Sequence, residues 1–249
     1  MIEQLIPLTK DIAVNVVANL IGAAIVIGIG FLSFKRASMI LQTLKYARRM
    51  SKNGFVNFYN SRSEYYTSRR QVTWEKYVLT TNKEFIYVGF YLSAATDTSM
   101  VDGALKALLE RGCRIELILL DDCLDQRLAN IMENYLGIAA GTLIPRLRHA
   151  HDHFAKLRAT LGADEQTRFI VRRHQNMITS SAMFLDWGEP EGKLLIDTKI
   201  AGAGRDKSFG MEFRNTGKEA TLSLELAMSF RRIANGATPA QIQSVFPTH

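Results

Sequence analysis

The chain has 249 residues, 47% of them hydrophobic and 22% charged. That balance supports a buried core and excludes disordered, collagen-like and disulfide-scaffold proteins. The formal charge is +7, yet Lys35, Arg36, Lys45, Arg48, Arg49 and Lys52 supply most of it from one acid-free stretch, 35–52. The remainder is nearly neutral, so no nucleic-acid-binding surface is expected on the folded domain.

Residues 12–34 hold no charged side chain. At about 1.5 Å per residue, a helix of that length crosses a hydrocarbon core of roughly 30 Å. A secretory signal wants a basic start, a shorter apolar stretch and a cleavage site, whereas this run is followed at once by Lys35-Arg36. The expectation is therefore a permanent single span in the inner (cytoplasmic) membrane. The basic flank on its C-terminal side predicts that this side is cytoplasmic. Cys113 and Cys123 would then face a reducing compartment, and their spacing is wrong for a zinc knuckle. Within the span, Asn15 and Asn19 lie one turn apart and Ala24 and Gly28 form a small-xxx-small pair. These features point either to self-association of spans, hence a homo-oligomer, or to two asparagines wetted at the outer interface. The stretch 35–52 continues as a basic amphipathic helix, with Ala37, Ile40, Leu41, Leu44 and Ala47 at helical spacing. It reads either as a helix lying on anionic headgroups or as a plain positive-inside flank.

From Gly54 the pattern changes. Phe55–Tyr59 predicts a short strand, 63–82 a helix with Trp74, Tyr77 and Val78 inward, and Phe85–Tyr91 a buried strand. Ser99-Met-Val-Asp102 reads as a cap for a helix that ends at Arg111-Gly112, and Arg114–Leu120 as a second buried strand. Strand, helix and strand in this order predict a parallel pair. Helices over 124–136 and 140–161 follow, then strands over 168–173, 178–186, 193–199 and 208–214. Thr216-Gly-Lys-Glu219 has the spacing of a capping box before a last helix with Leu222, Leu226, Phe230 and Ile233 inward, closed by Asn235-Gly236. The predicted organisation is a tail and transmembrane helix (1–34), a juxtamembrane helix (35–52), one cytoplasmic α/β domain (53–236) and a loose tail (237–249).

Three stretches, Phe58-Tyr-Asn-Ser-Arg-Ser-Glu64, Val88-Gly-Phe-Tyr-Leu-Ser93 and Cys113-Arg-Ile-Glu-Leu-Ile-Leu-Leu-Asp-Asp122, resemble the phospholipase D-like fold. The likeness is to small one-copy versions that form C-terminal domains of some bacterial regulators. It implies a mixed sheet with flanking helices, with parallel strands first and a run of strands before the last helix. Catalysis in that family needs His-x-Lys-x4-Asp, in which the His attacks phosphorus and the Lys offsets charge on phosphate oxygens. The best frame here is Thr179-Ser-Ser-Ala-Met-Phe-Leu-Asp186. Thr179 stands for the His and Ser181 for the Lys, and His-x-Lys occurs nowhere in the chain. Without imidazole and ammonium the resemblance implies a pseudoenzyme.

His149 and His153, one turn apart, have metal-ligand spacing, but without a third ligand or a metalloprotease Glu they predict a solvated face, and His151 a packed core histidine. Gly202–Gly210 lacks the context of a phosphate loop and reads as a hairpin connection. Arg172-Arg173-His174 ends a strand, where anions gather in open α/β sheets, though charged strand ends are also ordinary. By the same rule Ser93, Asp121 and Asp122 follow the parallel strands and should line a crevice. Asp122 could equally cap the next helix, and Arg62 could meet one of the aspartates. The candidate ligand-binding set is thus Arg62, Ser93, Asp121, Asp122, Arg172, His174, Thr179 and Ser181, with no catalytic residue, metal or cofactor assigned. The expected function is a membrane-anchored, non-catalytic sensor or effector in bacterial stress or anti-phage signalling. Its partners would be the bilayer, further copies of itself, and an anionic or nucleotide-like ligand or a protein. The alternatives are a divergent phosphodiesterase or nuclease using Arg172, His174 and the carboxylates, or a purely structural anchor.

Overall fold

The continuous apolar runs of the sequence become the middle of one sheet. In a computed structural model of the protein the described residues are 39–59, 74–92, 99–202, 208–218 and 221–239. Two units are distinguished, Met1–Met50 and Ser51–His249. The predicted span, with Asn15, Asn19, Ala24 and Gly28, lies outside the described residues, as do Arg62 and Ser93. No helix among the described residues is long and apolar enough to cross a membrane. A helix over 39–52 (α1) is exposed along its length.

After α1 come β1 (Phe55–Tyr59), α2 (Trp74–Val78), β2 (Glu84–Gly89), α3 (Ser99–Glu110) and β3 (Arg114–Leu120). Next are α4 (Gln126–Leu136), α5 (Leu143–Ala159), α6 (Ala163–Arg168), β4 (Phe169–His174), β5 (Ser180–Leu185), β6 (Lys193–Thr198) and β7 (Phe209–Arg214). The last described elements are α7 (Leu222–Asn235) and β8 (Thr238–Pro239). Among the described residues the strands form one mixed sheet in the order β1-β7-β6-β5-β2-β3-β4-β8. As predicted, β2 and β3 are parallel, and β4 extends the parallel set. Strands β5, β6 and β7 then run antiparallel beside β2.

Alternation of side chains divides the sheet between two cores. Phe85, Tyr87, Ile115, Leu117, Phe169, Met183 and Leu195 face α2, α3 and α5. Ile86, Val88, Ile118, Phe184, Leu194 and Phe213 face α7, through Ala227, Phe230 and Ala234. A third cluster gathers Phe90, Leu120 and Ile178 with Met132 and Leu136 of α4 and Leu143 and Leu147 of α5.

Several predicted boundaries move, each for a local reason. The helix before β2 stops at Val78 instead of 82, because the N–H groups of Thr80 and Thr81 turn back to Tyr77 and Val78 in a tight final turn. Residues 216–218 do not open the last helix. Gly217 has φ 64 in a turn closed by Asn215, and Thr221 is the cap, its hydroxyl accepting from Leu224 N at 3.3 Å. Of the residues predicted inward on α7, Phe230 is buried and Leu226 and Ile233 pack against the same cluster; Ser223, Ala227 and Ala234 complete that face, while Leu222 is exposed. Small residues there let α7 approach β1: a Cβ built on Gly54 would sit 2.7 Å from Ser223 Oγ. The sheet also runs past 236. Ala237 is buried, and Thr238 and Pro239 lie against Arg173 and Arg172 at the edge.

Candidate functional site

The carboxyl ends of β2, β3 and β4 lie at one end of the sheet, where the amino end of β5 also falls because it runs the other way. The expected open crevice at β2 and β3 is largely filled there. Phe90, Leu120 and Ile178 are buried under α4 and the start of α5. What remains polar is a knot around Arg173, on the opposite sheet face from its neighbours Arg172 and His174.

Arg173 Nη1 binds Asp121 Oδ1 at 3.2 Å and also Asp122 Oδ1. The side chains of the two aspartates are only 13% and 12% exposed. Arg148 Nε approaches Asp122 from α5 at 3.7 Å. Asp121 further accepts from Gln175 Nε2 and from the N–H of Cys123, both at 3.1 Å. Burial is the largest single influence on this carboxyl and pushes its pKa up. The hydrogen bonds and the Arg173 charge together outweigh it and hold the group below the ordinary aspartate value. Ligand atoms of Asp121, Asp122 and Cys123 lie within 4.8 Å of one another, but the cation between the two carboxylates is Arg173. Asp122 does not cap the next helix; Asp125 does, accepting from Arg127 N at 2.8 Å and Leu128 N at 3.3 Å.

Two buried histidines border this knot. His151 Nε2 meets the Leu120 carbonyl at 2.9 Å and His174 Nε2 meets the Gly89 carbonyl at 3.2 Å. A carbonyl only accepts, so Nε2 carries the proton in each. His151 is the packed histidine that the sequence predicts. Burial lowers both pKa values below the usual imidazole range, the carbonyl contacts opposing it. His153 bonds Asp102 at 2.9 Å, and His149 is exposed.

The fold favours the neutral form of both buried rings, whereas the unfolded chain protonates them below about pH 6.5. Stability is therefore full above that value and falls as the pH drops from it towards the lowered folded pKa values. The slope is at most about 1.4 kcal/mol per pH unit for each ring. Urea titrations of the full chain between pH 7.5 and 5.5 check this. In His174→Gln, whose amide can donate to the same carbonyl, the slope should fall by about half; an unchanged slope would exclude His174 as a source.

Among the described residues, Arg172, Thr179 and Ser181 do not join Arg173. Arg172 Nε binds Glu116 at 3.0 Å on the α7 face, and Glu116 also takes Arg114. Thr179 is exposed, and Ser181 is buried on β5. Ser181 pairs opposite Asp197, whose Oδ2 holds Lys199 Nζ at 2.6 Å, and the Lys199 N–H donates to the Thr179 carbonyl at 3.0 Å. A lysine thus stands beside Thr179 and Ser181, contributed from the end of β6. Asp186 lies past the other end of β5. With φ 51 it turns its carboxylate onto the N–H groups of Asn82, Lys83 and Glu84 at 2.8, 2.7 and 2.9 Å. Its role is to fix the start of β2.

The sequence singled out neither Asp197, Lys199 nor Arg173's particular partnership. The strand-end rule that marked Arg172-Arg173-His174 would have picked out Arg173 alone once side-chain alternation was applied to its neighbours.

No family model matches the chain, and no curated protein matches it. Among solved structures, it is similar to the phosphatidylserine synthase of Haemophilus influenzae Rd KW20, at 17% identity and a TM-score of 0.43. The similarity covers 66% of this chain and 35% of that one, so the match spans about a third of that protein's length.

Proposed function

We propose that the protein is a single-pass membrane protein carrying a non-catalytic phospholipase D-like binding domain on the cytoplasmic side. It acts as a sensor or effector of the kind used in bacterial stress or anti-phage signalling. A ligand or protein partner engages the strand ends, and self-association of the spans carries the response. The observation that supports this reading is the fate of the phosphoryl-transfer motif. Its nucleophile position is an exposed Thr179, its clamp position a buried Ser181, and its Asp186 is tied to backbone amides at the other end of β5. The buried histidines nearby spend Nε2 on backbone carbonyls. A hydroxyl without an adjacent base attacks phosphorus poorly, and the activating imidazole is missing.

The full chain in nanodiscs should give no hydrolysis of bis(p-nitrophenyl) phosphate above buffer. Turnover that disappears in His174→Ala would overturn the reading. On blue-native gels the oligomer should shrink in Asn15→Leu/Asn19→Leu, and an unchanged oligomer would remove the span from the mechanism.

A further inference from the structure

The helix α1 buries nothing, although it is rich in apolar side chains. Met39, Ile40, Leu41, Leu44, Tyr46 and Met50 are between 41% and 67% exposed. Such a surface is costly in water and needs a cover. Projected at about 100° per residue, Met39, Ile40, Leu44, Tyr46, Ala47 and Met50 share an arc about 160° wide. Lys45, Arg48 and Lys52 fall on the rest of the circumference. Leu41 falls among the basic side chains and Thr43 and Ser51 inside the apolar arc, and no acid occurs between residues 35 and 52.

We infer that α1 lies in the plane of an anionic lipid surface, with the Leu44 arc in the acyl-headgroup boundary and the basic side chains reaching phosphate headgroups. Two observations choose lipid over a second copy of the helix. A second copy would bring two acid-free, strongly basic segments together, whereas anionic headgroups neutralise them. The uncharged run ends at Phe34, five residues before Met39, so α1 starts at most about 18 Å along the chain from it. Arg48 borders the apolar arc, and its long aliphatic stem lets the guanidinium rise to the headgroup layer while the helix stays submerged. This inference rests on residues 12–34 spanning the bilayer.

The test uses the full chain with Cys123→Ser, which removes the exposed thiol while Cys113 is buried. Leu44→Cys and Arg48→Cys are each labelled with NBD, and the protein is reconstituted in vesicles of phosphatidylcholine with or without 30% phosphatidylglycerol. In the anionic vesicles, NBD at 44 should shift to the blue and be quenched about two-fold or more by doxyl-labelled lipid, and NBD at 48 should be affected little. In pure phosphatidylcholine the quenching at 44 should weaken. Retention of the protein after carbonate washing is scored separately. Loss in that wash would overturn the span reading itself. Retention with no lipid quenching at 44 overturns the inference, whether NBD stays in water or is shielded by another copy. Equal quenching in both vesicles overturns the anionic requirement.

Discussion

Replacing Glu133 by alanine should destabilise the domain by about 3 kcal/mol, lowering Tm by roughly 6–12 °C. Glu133 is on α4 and 2% exposed, but its carboxylate serves the next helix. It accepts from the N–H groups of Gly141 and Leu143, both at 2.8 Å, at the start of α5. The cap position of α5 is Thr142, whose hydroxyl bonds the Ala139 carbonyl and makes no capping bond. The start of α5 therefore depends on a carboxylate from another element, placed where the helix dipole favours negative charge. The Leu143 N–H is the strongest influence on this carboxyl. With the Gly141 and Thr142 amides it lowers the pKa against the opposing effect of burial. The stabilisation is thus present above the ordinary glutamate value and lost as pH falls below it. Urea denaturation at pH 7 and pH 4 should show the Glu133→Ala deficit narrowing in acid, and Glu133→Gln should lose about half as much. A deficit under about 1 kcal/mol, or one independent of pH, would show that Glu133 does not cap α5.

Arg173→Met should cost a similar amount, about 3 kcal/mol at pH 7, for a different reason. The substitution keeps most of the apolar stem but leaves Asp121 and Asp122 mostly buried and facing each other without their guanidinium. The Asp122 charge beside it then raises the pKa of Asp121, which is now held low. The variant should consequently recover relative stability as pH falls from 7 towards 4, because protonation removes the repulsion. Arg173→Lys, which keeps the charge and loses the fork, should cost about 1 kcal/mol. Thermal scans of the three proteins across that pH range measure the effect, and parallel curves for wild type and Arg173→Met would disprove it.

The strands were legible because their signal is local. Phe85–Tyr91 and Arg114–Leu120 are apolar runs bounded by turns, and β2 and β3 occupy them almost residue for residue. The last helix was legible in its end and in the inward Leu226, Phe230 and Ile233, but not in its start or at Leu222. Ser223 and Ala227 are buried because small side chains allow close approach, which a ranking by hydrophobicity assigns to Leu222 instead. Ala163–Arg168 gave no warning, since this helix buries nothing and so carries no apolar period. The polar partners were hidden for another reason. Glu133 with the start of α5, Glu116 between Arg114 and Arg172, and Asp186 on the start of β2 are contacts fixed by topology. Sequence spacing alone names the residue types and leaves their partners open.

The sheet order also sets a molecular width. β1, where the domain begins, and β8, the last described strand, are opposite edges of the eight strands. Seven inter-strand gaps of about 4.8 Å put them about 34 Å apart. Cargo or a fluorescent reporter fused near the C-terminal strand would be displaced sideways by about that distance from the point where the chain enters the fold. Pulling on such a fusion would first load the two-residue contact of β8 with β4, leaving the five-residue β1 as the firmer grip.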